Sequence, residues 1–235
     1  MEMVVLRILG IDTSGKIASV ALTDDDKLVC EKTLYTNLTH SQIIMPMVDE
    51  VMQNSGVTFD DIDAIAVANG PGSYTGLRIG IAAVKGICLG SSHIKCAGVS
   101  TLEALAYNCS AFSGRIVSVM KARPNVIYAG EFQSDGTTVS RISDDRVCAE
   151  DDFFASLDKS CKVMLVGDYA ATAKDKYFCD NCNVICAGKN MLLQRASSLC
   201  LALEQNPEYI TEAAELEVAY LQATKAEKDK AHSEL

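Results

Sequence analysis

The apolar run from Val4 to Ile11, the polar tip Asp12-Thr13-Ser14-Gly15 and a second apolar run from Ile17 to Leu22 constrain this chain more than any other feature. Strands this uniformly apolar cannot show a face to water, so they belong inside a sheet covered on both sides. The acidic turn Asp24-Asp25-Asp26-Lys27 leads to a third strand, Leu28 to Tyr35. The cover comes next: Ile43, Ile44, Met47, Val48, Val51 and Met52 lie on one broad helical face that Ser55-Gly56 stops. A strand from Ile62 to Ala68, a helix from Leu77 to near Gly90 and a strand from Ile94 to Val99 follow. Ser100-Thr101-Leu102-Glu103 reads as a capping box that opens another helix. Three meandering strands followed by alternating helices and strands predict an α/β layer structure.

The second half repeats this logic. Strands at Arg115 to Met120 and Val126 to Gln133 flank the turn Arg123-Pro124-Asn125, and a third lies near Thr138 to Ile142. Short helices at Asp151 to Leu157 and Asp168 to Lys176 flank a strand at Lys162 to Gly167; a strand at Asn183 to Ala187 and a helix from Met191 to Glu204 follow. The recurrence predicts a duplicated α/β unit. Thr211 to Leu235 is rich in Ala, Glu and Lys and is helical by propensity alone.

Charge narrows the function classes. With 31 acidic against 21 basic side chains the net charge is −10, the wrong sign for a stand-alone binder of nucleic acid or anionic membrane. Ten cysteines scattered through core-like segments read as reduced thiols. The opening residues have no basic n-region, and no stretch approaches the roughly 18 apolar residues of a membrane span. A cytoplasmic location and no membrane partner are expected.

Several residues could carry chemistry. Asp12 in its Thr-Ser-Gly turn could present Mg²⁺ or a phosphate to backbone amides, or merely cap its own turn. Asn69 to Gly80 places four glycines and Arg78 around a strand-to-helix junction. Its amides could hold an anion; alternatively Gly76 and Gly80, like Ala82, Gly86 and Gly90, are small residues on a helical face that let another helix approach. His40 lacks a second histidine four residues on, where Ile44 stands, so no helical metal pair exists. Cys179, Cys182 and Cys186 have zinc-like spacing without a fourth ligand and read instead as buried thiols at a strand edge. No Gly-x-Ser-x-Gly and no Walker A run occurs, so no catalytic residue and no metal site is assigned.

Four segments together, Ile8 to Ser14, Thr39 to Pro46, Gly70 to Gly80 and Gly98 to Ala106, resemble the TsaB (YeaZ) family, which is related to the glycoproteases. The likeness is dense through residue 107 and thinner beyond, where Lys121-Ala-Arg123 and Tyr220-Leu-Gln222 match family segments loosely. The resemblance implies a two-lobed actin-like ATPase (ASKHA, ribonuclease H-like) fold of mixed sheets flanked by helices. Residues 1–107 would form a lobe with dimerisation helices, 108–222 a smaller divergent lobe and 223–235 a charged tail. It implies a non-catalytic subunit of the tRNA threonylcarbamoyladenosine complex, pairing with the catalytic paralogue TsaD, which modifies the adenosine 3′ to the anticodon. TsaE, a small ATPase, joins them; tRNA is met only through the complex, and the isolated chain pairs with itself.

On this resemblance the interface comprises His40, Ile43, Ile44, Met47 and Val51 on one helix and Gly76, Arg78, Gly80 and Val84 on the next. The apolar face of 43–52 would otherwise expose a large patch, and Gly80→Leu is expected to abolish pairing while the monomer stays folded. Asp12, Thr13, Ser14, Gly70 and Gly72 are the nucleotide- or phosphate-binding candidates. No intrinsic cofactor is expected, with ATP or ADP at the partner interface. The chain departs from an active phosphotransferase of this fold in having Lys121 where the second acidic turn belongs and in lacking a Gly-Gly adenosine loop. The alternative is nonetheless a small phosphotransferase or nucleotide hydrolase of the same superfamily; a glycoprotease-like metallohydrolase fails for want of ligands.

Overall fold

The computed structural model describes residues 6–25 and 27–222, so the predicted strand start at Val4, position 26 and the tail 223–235 lie outside the described residues. Strands β1 (Arg7–Asp12), β2 (Ile17–Asp24) and β3 (Lys27–Tyr35) form an antiparallel meander. Strand β4 (Ala64–Gly70) pairs parallel with β1, and β5 (Lys95–Ser100) parallel with β4. In the second sheet β6 (Ser113–Arg123), β7 (Val126–Asp135) and β8 (Val139–Ala149) repeat the meander, β9 (Val163–Val166) joins β6 in parallel and β10 (Val184–Cys186) joins β9. The orders β5-β4-β1-β2-β3 and β10-β9-β6-β7-β8 are the same topology twice, which is the duplication the sequence predicts.

Helices α1 (His40–Ser55) and α2 (Tyr74–Gly90) cover one face of the first sheet. Period-two alternation divides β1 between two cores: Leu9 and Ile11 pack with Ile44, Met47, Val67 and Val84, whereas Ile8 points the other way. That second core lies between the lobes. It joins Ile8 and Val99 to Leu105 of α3 (Thr101–Tyr107), Ile116 and Phe132 of the second sheet, and Leu199 and Leu203 of α6 (Ala196–Gln205). A third core, with Val119, Phe154, Leu165 and Phe178, lies under α4 (Glu150–Ser156) and α5 (Ala170–Tyr177).

Three sequence expectations are corrected. The predicted helix from Met191 begins only at Ala196, because Glu31 on β3 collects the Arg195 guanidinium, the Ser197 N–H at 3.1 Å and the Ser197 hydroxyl at 2.7 Å, pinning the helix start. Residues 211–222, the described part of the predicted helix, are neither helical nor part of the second lobe. Strand β11 (Ile210–Thr211) pairs antiparallel with β5, and 212–222 continues without regular structure past α2, so 196–222 belongs against the first sheet rather than with 108–195. The Ser100 hydroxyl caps α3 by accepting from Leu102 and Glu103 N–H, but Glu103 does not close the box. Its carboxylate, nearly buried, turns to Arg141 at 2.8 Å and the Tyr209 hydroxyl at 3.1 Å; β8 runs well beyond Ile142 because it stays paired with β7 as far as Ala149.

Candidate functional site

β1 delivers Asp12 to the bottom of the polar turn, fully buried. Its Oδ1 accepts the Ser14 N–H at 2.8 Å and the Ser14 hydroxyl at 2.7 Å, while Oδ2 is buried with no hydrogen-bond partner among the described residues. Burial pushes this carboxyl's pKa up; the Ser14 bonds and nearby His40 offset part of that. His40 Nε2 stands 2.8 Å from the Gly15 carbonyl oxygen, so the histidine steadies the turn from the start of α1.

The glycine loop closes over this turn. Ser73 N–H donates to the Ser14 carbonyl at 2.7 Å, and the Thr13 hydroxyl donates to the Gly76 carbonyl at 2.8 Å. A side chain at Gly72 would collide with the Ser14 carbonyl and one at Gly76 with the Thr13 carbonyl, while a Cβ at Gly80 would stand 2.5 Å from Thr13 Oγ1. The structure therefore brings Asp12, Thr13, Ser14 and Gly72 together, as a sealed joint within the chain. Gly70 is drawn elsewhere, against the Ala219 carbonyl, next to the Ala219 N–H bond to Asn69 O at 2.8 Å. The Ser73 amide is not free for a phosphate, because it already serves a carbonyl of the same chain.

The helical interface residues are also relocated. Ile43, Ile44, Met47, Val51 and Val84 are buried in this chain's own core, and Gly76 and Gly80 are consumed by the contact with Thr13. The apolar stripe is thus explained within one chain and leaves no patch that demands a partner. Arg78 does face outward, 4.0 Å above the Tyr74 ring, with its Nε donating to the Tyr220 hydroxyl at 2.8 Å. The outer surfaces of α1 and α2 carry Met45, Ala82, Gly86 and Leu89, and a side chain added at Gly86 or Gly90 would meet nothing within 4 Å. The second small-residue row named by the sequence, Ala82-Gly86-Gly90, is the one in the open.

Cys179 and Cys182 are exposed, contrary to the expectation of buried thiols, and Cys186 is half-buried with its pKa pushed up by desolvation. Cys179 and Cys182 sit in the turn after α5, whereas Cys186 ends β10 and packs against the third core. No group of three or more metal-ligating side chains occurs among the described residues, and none of their helices is long and apolar enough to cross a membrane.

The resemblance implies a hairpin in each lobe that can flank a nucleotide, but sequence reasoning assigned no binding residues to the space between the two tips. Lys16 on the first, Lys121 on the second and Asp168 at the end of β9 line a cleft of about 490 Å³ with Tyr35, Tyr169 and Gln194. Lys121 N–H donates to Asp168 Oδ1 at 2.9 Å. The signal was present in Gly167-Asp168, an acidic residue at a strand-to-helix junction, but only the tertiary fold sets it opposite Lys16.

A family model described as TsaD, tRNA N6-adenosine threonylcarbamoyltransferase, matches residues 35–228. The chain is similar to the tRNA threonylcarbamoyladenosine biosynthesis protein TsaB of Escherichia coli (strain K12), 39% identical over 132 residues, 55% of this chain and 56% of that protein. It is also similar to TsaB of Bacillus subtilis (strain 168), 34% identical over 163 residues, 69% of this chain and 71% of that one. The match thus spans little more than half of the Escherichia coli relative. Among solved structures, YeaZ from Pseudomonas aeruginosa superposes with a TM-score of 0.79 at 23% identity, covering 92% of this chain and all of that one. The ethanolamine utilization protein EutJ from Carboxydothermus hydrogenoformans gives 0.54 at 12%, covering 87% and 92%. The architecture is the two-lobed actin-like ATPase fold.

Proposed function

The chain belongs to the TsaB family, and from that premise we propose that it is a non-catalytic subunit in tRNA threonylcarbamoyladenosine biosynthesis, pairing with a TsaD-type transferase. The observation that carries the non-catalytic half is the sealed acidic turn. Asp12 is covered by its own glycine loop, Ser73 N–H and the Thr13 hydroxyl are committed to chain carbonyls, and Lys121 occupies the matching place on the second hairpin. Phosphoryl or acyl transfer needs charges arranged around the reacting group, and this turn offers no carboxylate to solvent. The same sealing argues against a small phosphotransferase or nucleotide hydrolase.

Pairing is assigned to the outward faces of α1 and α2, where Gly86 leaves room for another helix and Met45 and Leu89 supply apolar flanks. In isolation the same face joins two copies. TsaD and the TsaE ATPase contribute the chemistry, with ATP or ADP at the partner interface, and tRNA is reached only through the complex. The net charge of −10 accords with that division, as does work in the cytoplasm beside tRNA.

The test is reconstitution. The purified chain with TsaD- and TsaE-type partners should modify tRNA with threonylcarbamoyl, each alone should not, and Gly86→Leu should stop both pairing and modification while circular dichroism is unchanged. Robust, Asp12-dependent ATP hydrolysis by a preparation free of both partners would overturn the reading in favour of the kinase-like alternative.

A further inference from the structure

We propose that Cys179 and Cys182 are a reversible modification site, a dithiol that a small-molecule disulfide such as oxidised glutathione converts into an intramolecular disulfide. The proposal does not rest on the pairing proposed above.

The run Cys179-Asp180-Asn181-Cys182 with Cys186 offers three neighbouring thiols, and the fold separates them. Of the ten cysteines, Cys179 and Cys182 are the two exposed ones. Cys186 packs half-buried against the third core, where desolvation pushes its pKa up and favours the neutral thiol. Attack on a disulfide needs a thiolate that solvent and reagent can reach. Of the three, Cys179 and Cys182 are so placed.

The backbone holds this pair together. Asn181 N–H donates to the Phe178 carbonyl at 3.0 Å and Val184 N–H to the Asn181 carbonyl at 3.4 Å, so two turns follow one another and each cysteine is the second residue of its turn. Positions three apart along such i→i+3 bonds lie nearly above one another. The Lys174 ammonium donates to both turn-opening carbonyls, that of Phe178 and, at 3.0 Å, that of Asn181. One cation thus clasps the carbonyl before each cysteine. The segment is also pinned at its ends: Phe178 and Val184 are buried in the third core, and Asn183 Nδ2 donates to the Lys159 carbonyl at 3.2 Å. A metal fits less well, since structural zinc takes four ligands and no group of three or more metal-ligating side chains occurs among the described residues.

The order of attack follows from the hydrogen bonds. Cys179 Sγ donates to Asp180 Oδ2 at 3.4 Å, whereas Cys182 has no hydrogen-bond partner among the described residues. Cys182 Sγ, its proton given to solvent, attacks one sulfur of the disulfide and expels a thiolate. Cys179 then loses its proton, attacks the Cys182 sulfur of the mixed disulfide and expels the second thiolate. The two thiolates take up the two protons, so the chain loses two hydrogens with two electrons and the small disulfide becomes two thiols.

The test equilibrates the folded full-length chain with reduced and oxidised glutathione at mildly alkaline pH, quenches with acid, alkylates in denaturant and reads peptide masses. The expected product has lost two hydrogens, with Cys179 joined to Cys182, Cys186 and the buried cysteines alkylated, and the mixed disulfide at no more than about a tenth of the ring. Dithiothreitol should restore the dithiol, and circular dichroism should not change, because both side chains are exposed. Cys179→Ser should stop the reaction at glutathione on Cys182. In urea, where the clasp is lost, the ring should be at least about fivefold scarcer relative to glutathione adducts. Glutathione on each cysteine without a ring, a link from Cys182 to Cys186, zinc that stays with the purified chain and shields both thiols, or a ring no more abundant in the folded chain than in urea would overturn the proposal.

Discussion

Glycine 72 and glycine 86 are equally plain in the sequence and opposite in the structure. A methyl group at Gly72 would strike the Ser14 carbonyl, a backbone atom that cannot swing away, whereas one at Gly86 meets nothing. Gly72→Ala should therefore cost about 1–3 kcal/mol, and Gly86→Ala should raise stability by up to about 1 kcal/mol through helix propensity. Urea melts of the two variants would separate them, and similar midpoints would refute the sealed joint. Gly80→Leu, expected from sequence to spare the fold, should instead unfold it, since Gly80 faces Thr13 and not a partner. Asp12 supplies a pH test. Its folded pKa is raised above the unfolded value, so the unfolded chain ionises first and burial of the charge costs more stability as pH climbs through the window from the unfolded to the folded pKa. Asp12→Asn removes that charge, so its stability relative to wild type should rise across that window and stay flat at more acidic pH. A constant difference over about pH 3–8 would show that burial does not raise the Asp12 pKa.

The element that most changes the picture is the strap from Ile210 to Gln222. It begins as a strand on β5, passes α2 where Lys85 donates to the Ala214 carbonyl at 3.4 Å, and drops Leu216 into the α1–α2 core at 3% exposure. It ends by stacking Tyr220 on Tyr74 at 5.1 Å beside the glycine loop. Leu216→Ala should cost about 2–4 kcal/mol and expose the amides of residues 70–76 to faster hydrogen exchange. Tyr220→Phe, which removes only the solvent-exposed bond to Arg78, should cost less than about 1 kcal/mol. If Leu216→Ala leaves loop exchange unchanged, the strap does not hold the loop. At this scale the helices α1 and α2 and the apolar face of α1 were legible, because a period of 3.6 is a local signal. Which surface the apolar face meets is not local, and there the expected partner interface gave way to the chain's own sheet.

The whole molecule is held by the core between the lobes, to which both sheets, α3 and α6 contribute. The Ser100–Asp145 hydrogen bond and the Glu103–Arg141 pair, partly buried at 7% and 28% side-chain exposure, add a polar tie across the same joint. Thermal unfolding should accordingly be a single transition by both circular dichroism and tyrosine fluorescence. Residues 1–107 alone should not fold, because α6 and β11, which complete the first sheet, come from the other end of the chain. Two resolved transitions, or a cooperatively folded 1–107 fragment, would contradict this.

Alternation of apolar and polar residues, turn chemistry and the repeated strand-turn-strand pattern determined the secondary elements, the duplicated α/β topology and the presence of an acidic turn beside a glycine loop. These are properties of neighbours in the chain, and the physics behind them acts over a few residues. Only the tertiary structure decided that the glycine loop is spent on that turn, that the apolar stripe of α1 is core, that the last residues return to the first sheet, and that Lys16, Lys121 and Asp168 share a cleft. Each depends on contacts between residues that are distant in sequence, where a side chain's own preference is the same whether its neighbour is a helix, a strap or water.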